Sequence, residues 1–178
     1  DPIKEQKALE DYIRDNSTNF NNANGLIELT TNKPIVLTFE DGSRVEYSLV
    51  KQNKTTNSLG LLDPVVSPQA NDVTYKVQKS YFYLIGNAQI SLIADCTHNN
   101  REVIINRAYD KVTASLASVS NRKVSIIKKR GYNNTYAKAE ASGDIQFEIT
   151  KLGPWLFRTY RFQIFIDPSG ACYLHVLD

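Results

Sequence analysis

Residues 73–85 read VTYKVQKSYFYLI, and large apolar or aromatic side chains recur in this stretch at every second position. A period of two places alternate side chains on opposite faces of a β-strand. We therefore predict either one long strand here or two strands that meet near residues 78–80. The side chains that share one parity are Val73, Tyr75, Val77, Tyr81, Tyr83 and Ile85.

The same period continues on both sides of this stretch. Apolar residues alternate over 35–39 and 45–49, and Asp41-Gly42-Ser43 between them favours a tight reversal, so we predict a hairpin. Nine to eleven short strands without a second helical pattern indicate a mainly β fold, an antiparallel β-sandwich with a barrel as the alternative. Further alternating runs cover residues 90–96, 103–109, 112–119, 124–128, 145–149, 160–166 and 172–177.

Two segments interrupt the β pattern. Residues 1–15 resemble a short helix, because Asp1 can cap it and Pro2 suits its first turn; an Asn-rich linker follows. We thus divide the chain into an N-terminal helix and linker, 1–25, and a single β domain, 26–178. We expect the helix to dock on that domain, with a frayed tail as the alternative. Within the domain, residues 112–119 are rich in Ala and Ser and allow a helical turn instead of a strand.

The two cysteines, Cys96 and Cys172, occupy inward-facing positions of their predicted strands. We predict a disulfide between them, with two buried thiols as the alternative. The chain begins with Asp1-Pro2 and contains no Met, as expected of a mature segment or of a trimmed chain. Together these features predict a secreted or cell-surface protein.

Charge and hydropathy exclude several classes of protein. Lys and Arg number 21 against 19 Asp and Glu, a formal charge of +2, which argues against a specific nucleic-acid binder. No apolar stretch approaches the roughly 18 residues of a membrane-spanning helix, so we expect no transmembrane segment. A hydrophobic share of 42% is typical of a globular domain.

Positive charge is concentrated in residues 98–140, which carry nine Lys or Arg against three acids. Such a region can attract an anionic cell-envelope polymer, although lysines can also simply protect a solvated strand edge. The candidate binding residues are Arg122, Lys123, Lys128, Lys129, Arg130, Tyr132 and Tyr136.

The long loop over residues 51–72 carries three leucines, Leu59, Leu61 and Leu62, which need a partner for their apolar side chains. The loop either seals one end of the sandwich or presents an apolar lip to a protein partner.

Residues that could support catalysis are few. Cys96 with His98 and Cys172 with His175 could in principle bind zinc, but positions 172 and 175 face opposite sides of a strand. The sequence contains no phosphate-binding loop. We therefore predict no metal and no cofactor.

Paired carboxylates leave one enzymatic alternative. Asp95 with Glu102, or Glu46 with Glu148, could serve as the acid and the base of a hydrolase. Acidic residues on the polar face of a strand ordinarily face solvent, so an enzyme is the less favoured interpretation.

Three short motifs carry a resemblance to a known family: ISLIA at 90–94, IINRAY at 104–109, and AKAEASG at 137–143 leading into IQF at 145–147. On these motifs residues 80–177 resemble the domain of an uncharacterised family of small secreted proteins from Gram-positive bacteria, a domain of unknown function. The resemblance implies secretion and a β-rich fold and supplies no catalytic residues.

Our leading hypothesis is a secreted or cell-surface, non-catalytic binding protein. Its partner would be a protein or an anionic cell-envelope polymer. The alternatives are a secreted inhibitor or immunity-type protein and, second, a carboxylate-dependent hydrolase.

Overall fold

The computed structural model describes residues 4, 7, 8, 11, 25–54, 70–83, 86–147 and 156–177. These residues form two antiparallel sheets, one of which is a half-barrel. The strands are β1 (Ile27–Leu29), β2 (Ile35–Thr38), β3 (Arg44–Asn53), β4 (Asn71–Tyr83), β5 (Gly86–His98), β6 (Glu102–Ser115), β7 (Ala117–Lys128), β8 (Arg130–Tyr132), β9 (Ala137–Phe147), β10 (Leu156–Ile166) and β11 (Cys172–Val176).

The two sheets differ in whether strands that are neighbours in the sequence are also neighbours in the sheet. The six-stranded sheet runs β2-β3-β4-β5-β6-β8 and is mostly a meander, in which neighbours in sequence pair with each other. The five-stranded sheet runs β1-β11-β10-β9-β7, so β1 pairs with the last strand of the chain. The predicted mainly β, antiparallel class is therefore confirmed.

The stretch that suggested the fold is a single strand. β4 runs unbroken to Tyr83 and pairs with both β3 and β5 along its length, so the alternative of two strands meeting near residues 78–80 is wrong. Lys79 continues the inward parity and is fully buried, with its Nζ 5.3 Å and 5.0 Å from the ring centroids of Tyr47 and Tyr81. Aromatic faces accept a cation in this way, so the charged position does not interrupt the strand.

The weakest part of the strand prediction, residues 112–119, contains a chain reversal. β6 continues through Ser115, Leu116 adopts a φ of 53°, and β7 begins at Ala117. The predicted runs 103–109 and 112–119 therefore divide differently in the structure. Residues 103–109 and the start of the 112–119 run belong to one strand, β6. The rest of the 112–119 run, from Ala117, begins β7, which lies in the other sheet.

One hydrophobic core joins the two sheets. Tyr47, Tyr75 and Ile90 come from the six-stranded sheet, Phe147 and Phe162 from the five-stranded sheet, and all five are fully buried. Every one of them lies at an inward position of its strand, although β5 is buried on both faces from Ile90 to Cys96. Burial of side chains of this size contributes roughly 1.5–3 kcal/mol each, which makes the alternation the main determinant of the fold.

The predicted disulfide is wrong. Cys96 on β5 and Cys172 on β11 are both buried in the core, as their parity predicts, but both are free thiols. Burial raises the pKa of both thiols, that of Cys172 to about 12, so neither is a thiolate nucleophile at neutral pH. The alternation of side chains along a strand predicts that a cysteine is buried in the core, but it does not predict which residue that cysteine bonds to.

The predicted N-terminal helix and linker fall mostly outside the described residues, and the structure does not support the helix. Ala8 packs against the core, and Lys4 lines a cavity of about 480 Å³ together with Phe39 and Tyr83. The loop leucines Leu59, Leu61 and Leu62 also lie outside the described residues. In the described part of the chain, no helix is long and apolar enough to cross a membrane.

Candidate binding surface

Two lysines face each other on the outer side of the five-stranded sheet. Lys128 near the end of β7 is the direct cross-strand partner of Lys138 on β9. A bulge at Ile127 directly precedes this pair, and like charges at opposed positions of two strands are destabilising. Neither lysine has an ion pair among the described residues. This pair is therefore a site of concentrated positive charge that the fold itself does not neutralise.

Two further cations share this side of the sheet. Lys123 on β7 pairs with Ser142, and Ser142 also pairs with Arg161 on β10. Because directly paired residues point to the same face, Lys123 and Arg161 lie in one row across the sheet. We call the set Lys123, Lys128, Lys138 and Arg161 the basic face.

One described carboxylate, Glu140, lies between the two rows of the basic face, and Asp144 lies one row beyond them. Glu140 receives hydrogen bonds from Arg161 at 3.0 and 3.2 Å and from Gln163 at 2.6 Å. Burial on its own would raise the pKa of Glu140, but these hydrogen bonds outweigh it and lower the pKa. Glu140 is thus ionised and paired with Arg161, and among the described residues Lys123, Lys128 and Lys138 have no ion pair.

An aromatic cluster borders the lysine pair. Lys138 Nζ lies 4.7 Å from the ring centroid of Phe165, a half-buried cation on an aromatic face. Tyr136 packs edge-on against Phe165 and Tyr173, with centroids 5.8 and 5.5 Å away. Of the predicted binding tyrosines, Tyr136 therefore joins the basic face.

The remaining predicted cations point elsewhere. Arg122 makes a bidentate ion pair with Asp110 on β6 at 2.8 and 2.9 Å, and Arg130 contacts Glu102 at 3.0 Å. Lys129 is exposed between β7 and β8, and its carbonyl accepts the amide of Ile105. Arg122 thus joins β7 to the other sheet, Arg130 joins β8 to β6 within one sheet, and neither adds free charge.

Tyr132, the other predicted tyrosine, is about half exposed on β8. Arg130 Nη1 lies 3.4 Å from its hydroxyl, at the limit of a hydrogen bond. Tyr132 therefore belongs with the arginine contacts of β6 and β8 and not with the basic face.

Sequence reasoning missed two members of the basic face, Lys138 and Arg161. Lys138 was counted in the basic region but was not singled out, and Arg161 lies on a strand that the charge count excluded. The polar parity of residues 137–147 would have found Lys138, because Ala137, Ala139 and Ala141 occupy the alternate positions. Strand pairing between β9 and β10 was needed to find Arg161.

No family model, curated protein or solved structure among those compared matches this chain. The family resemblance drawn from the three short motifs therefore stays a prediction. The basic face has to be interpreted from its own chemistry.

The carboxylates of the hydrolase alternative are engaged in ion pairs. Asp95 contacts Arg107 and Glu102 contacts Arg130, both at 3.0 Å, and Glu46 contacts Arg44 at 2.8 Å. Glu148 lies outside the described residues. A general acid needs a raised pKa, whereas the pKa of Asp95 is lowered.

The histidines of the zinc alternative have other neighbours. His98 Nδ1 lies 3.2 Å from the carbonyl oxygen of Pro168, and the ring of His175 packs against Phe165. Over the residues that are described, no group of three or more His, Cys, Asp or Glu side chains could hold a metal ion.

Proposed function

We propose that this protein is a non-catalytic binding protein that holds an anionic polymer on its basic face. The observation that carries the proposal is the direct cross-strand pairing of Lys128 with Lys138. A like-charge pair at this position costs stability, and an anion that lies against both ammonium groups would remove that cost. A phosphate or carboxylate group bound there would turn a repulsive pair into two attractive contacts.

The spacing of the cations favours a polymer over a small anion. Lys123 pairs with Ser142 and Lys128 with Lys138, and these two partners lie four residues apart on β9. Four residues of an extended strand span roughly 13 Å. A single phosphate cannot reach both positions, whereas a chain with repeated charges can.

The kind of cation also favours a polymer over a protein surface. The uncompensated groups are lysines, which act as point charges toward phosphates, while bidentate arginines are committed to Asp110 and Glu140. Lysine is depleted in protein–protein interfaces. A polymer with regularly spaced charges can be bound by cations at a matching spacing and does not need a shaped hydrophobic pocket.

The setting that we propose is outside the cell or on its surface, where a cell-envelope polymer would be met. This part rests on the family resemblance. The cysteines no longer support it, because both are free thiols.

The test uses long-chain inorganic polyphosphate as the probe and orthophosphate as its monomeric counterpart. The full chain should bind polyphosphate with an affinity that falls as salt rises, and should bind orthophosphate far more weakly. Lys128→Glu and Lys138→Glu should each weaken binding and reduce the slope of log K against log salt by about one. Lys33→Glu, at an exposed lysine in the turn before β2, is the matched control and should change neither quantity.

Equal loss of binding in Lys33→Glu would show that only net charge matters and would overturn the proposal. Unchanged binding in the Lys128 and Lys138 variants would also overturn it. A tight stoichiometric complex with one enzyme or toxin that survives both charge reversals would favour the inhibitor or immunity-type alternative instead.

A further inference from the structure

A second candidate site lies on the other sheet, in a polar pocket of about 240 Å³. It opens at the outer face of β4, β5 and β6, next to the end of β3, and is separate from the basic face. Charged and neutral polar side chains line it, together with the edges of Val73 and Cys96. The polar residues are Lys54, Asp72, Asp95, Thr97, Asn106 and Arg107.

A β-bulge builds this pocket. Asp95 pairs with Arg107 and Cys96 pairs with Ile105, so Asn106 is an extra residue on β6. Ile105 is buried while both Asn106 and Arg107 are exposed. The bulge thus places two consecutive polar side chains on one face, where a regular strand would turn one of them inward.

Hydrogen bonds within the pocket position its groups. Asn106 Nδ2 donates to Thr97 Oγ1 at 2.9 Å, and the Thr97 hydroxyl donates to Asp72 Oδ1 at 2.6 Å. Arg107 Nε and Nη2 both reach Asp95 Oδ2 at 3.0 Å.

Asp95 is a fixed acceptor within this network. Thr74 donates to its Oδ1 at 2.7 Å, and Lys54 Nζ lies 3.5 Å from the same oxygen. Burial raises the pKa of Asp95, but the Thr74 hydrogen bond and the charges of Lys54 and Arg107 outweigh it, so the pKa is lowered. The carboxyl group is therefore ionised at neutral pH.

Donors and acceptors both remain available to a ligand. In the described part of the chain, Asp72 Oδ2 and Asn106 Oδ1 accept no hydrogen bond. The side chains of Lys54 and Arg107 are more than half exposed and keep further N–H groups for donation. Two cations and two carboxylates give the lining a formal charge of zero.

This balance selects the ligand class. An anion would meet the two carboxylates and a cation would meet the two cations, whereas a hydroxyl group both donates and accepts. We propose that the pocket binds a neutral, hydroxyl-rich ligand, namely a sugar unit. The proposal is independent of the basic face, which lies on the other sheet.

The test is a titration of the ¹⁵N-labelled full chain, followed by amide chemical shifts. The probes are glucose and N-acetylglucosamine, with gluconate and glucosamine as their anionic and cationic counterparts. A neutral sugar should give saturable shifts at the amides of Thr97 and Asn106, and the charged counterparts should bind more weakly. Absence of saturable shifts with both neutral sugars, or equal binding of gluconate, would overturn the proposal.

Asn106→Ala should weaken sugar binding by about tenfold, because it removes one acceptor and the hydrogen bond that orients Thr97. Asn134→Ala, at an exposed position in the turn after β8, is the control and should bind sugar as the parent does. Equal sugar binding by both variants would refute the assignment of the site. Polyphosphate binding should be unchanged in Asn106→Ala, so failure of one proposal can be told from failure of the other.

Discussion

The hydroxyl of Tyr75 on β4 donates a hydrogen bond of 2.8 Å to the carbonyl oxygen of Gly170, in the turn between β10 and β11. Lys51 Nζ, on the neighbouring strand β3, donates to the same oxygen at 2.9 Å. The six-stranded sheet therefore holds a turn of the five-stranded sheet by two direct contacts. This clamp adds directional bonds to a core that is otherwise apolar.

Two buried tyrosines should respond in opposite ways to loss of the hydroxyl group. Tyr75→Phe removes a buried hydrogen bond and should lower the free energy of unfolding by about 1 kcal/mol. The Tyr160 hydroxyl is also buried, and among the described residues it has no hydrogen-bond partner. Tyr160→Phe should therefore stabilise by up to about 1 kcal/mol. Urea unfolding measures both, and equal destabilisation would contradict the clamp.

Substitution of two glycines with positive φ should distinguish the energetic cost of backbone strain from that of steric crowding. Gly42 has a φ of 78° with open space around it, and Gly42→Ala should cost about 1 kcal/mol from backbone strain alone. Gly170 has a φ of 91°, and a Cβ there would lie 2.8 Å from the His98 ring. Gly170→Ala should cost about 3 kcal/mol, because overpacking adds to the strain. Equal losses in the unfolding free energy would show that the His98 contact is unimportant.

His98 should make the protein less stable in mild acid. Burial lowers its pKa, and the nearby Lys51 adds to this, while Pro168 and Asp167 oppose it. Below an unfolded pKa of about 6.5 the unfolded chain binds more protons than the folded one, so stability falls as pH falls. The urea midpoint should thus be lower at pH 5.5 than at pH 7.5.

His175, whose pKa is also lowered chiefly by burial, contributes in the same direction. His98→Gln should reduce the fall in the urea midpoint, and a variant that also carries His175→Gln should reduce it further. A fall of the same size in all three proteins would assign the pH dependence to other groups.

The two cysteines should be free but protected in the folded protein. Ellman's reagent should find almost no reactive thiol under native conditions, since both side chains are buried and their pKa values are raised. After unfolding in denaturant without a reductant, the same reagent should find two thiols per chain. No thiol in that second measurement would mean that the cysteines are bonded after all.

The strands could be predicted because each residue's face depends on its immediate neighbours. The hairpin of β2 and β3 and the inward parity of Cys96 and Cys172 follow from alternation alone. Lys79 shows the limit of that reasoning. Its parity makes it an inward residue, but the ring contacts with Tyr47 and Tyr81 that help a buried lysine to be tolerated come from strand pairing and not from local sequence.

The binding surface was predictable only in part. Local charge density identified Lys123 and Lys128, but it grouped them with Arg122 and Arg130, which acids on β6 neutralise. Those ion pairs join residues that are 12 and 28 positions apart. A pattern of neighbouring residues in the sequence therefore cannot reveal these ion pairs.

By itself, the sequence determined that the chain would form strands and which face of most strands would turn inward, because alternation is a property of consecutive residues. Tertiary structure alone decided which strands pair, that Lys128 opposes Lys138, that the bulge at Asn106 opens a polar pocket, and that the thiols stay unbonded. The reason is that pairing and register are set by contacts between segments distant in sequence, and the energies of those contacts depend on partners that a local pattern does not contain.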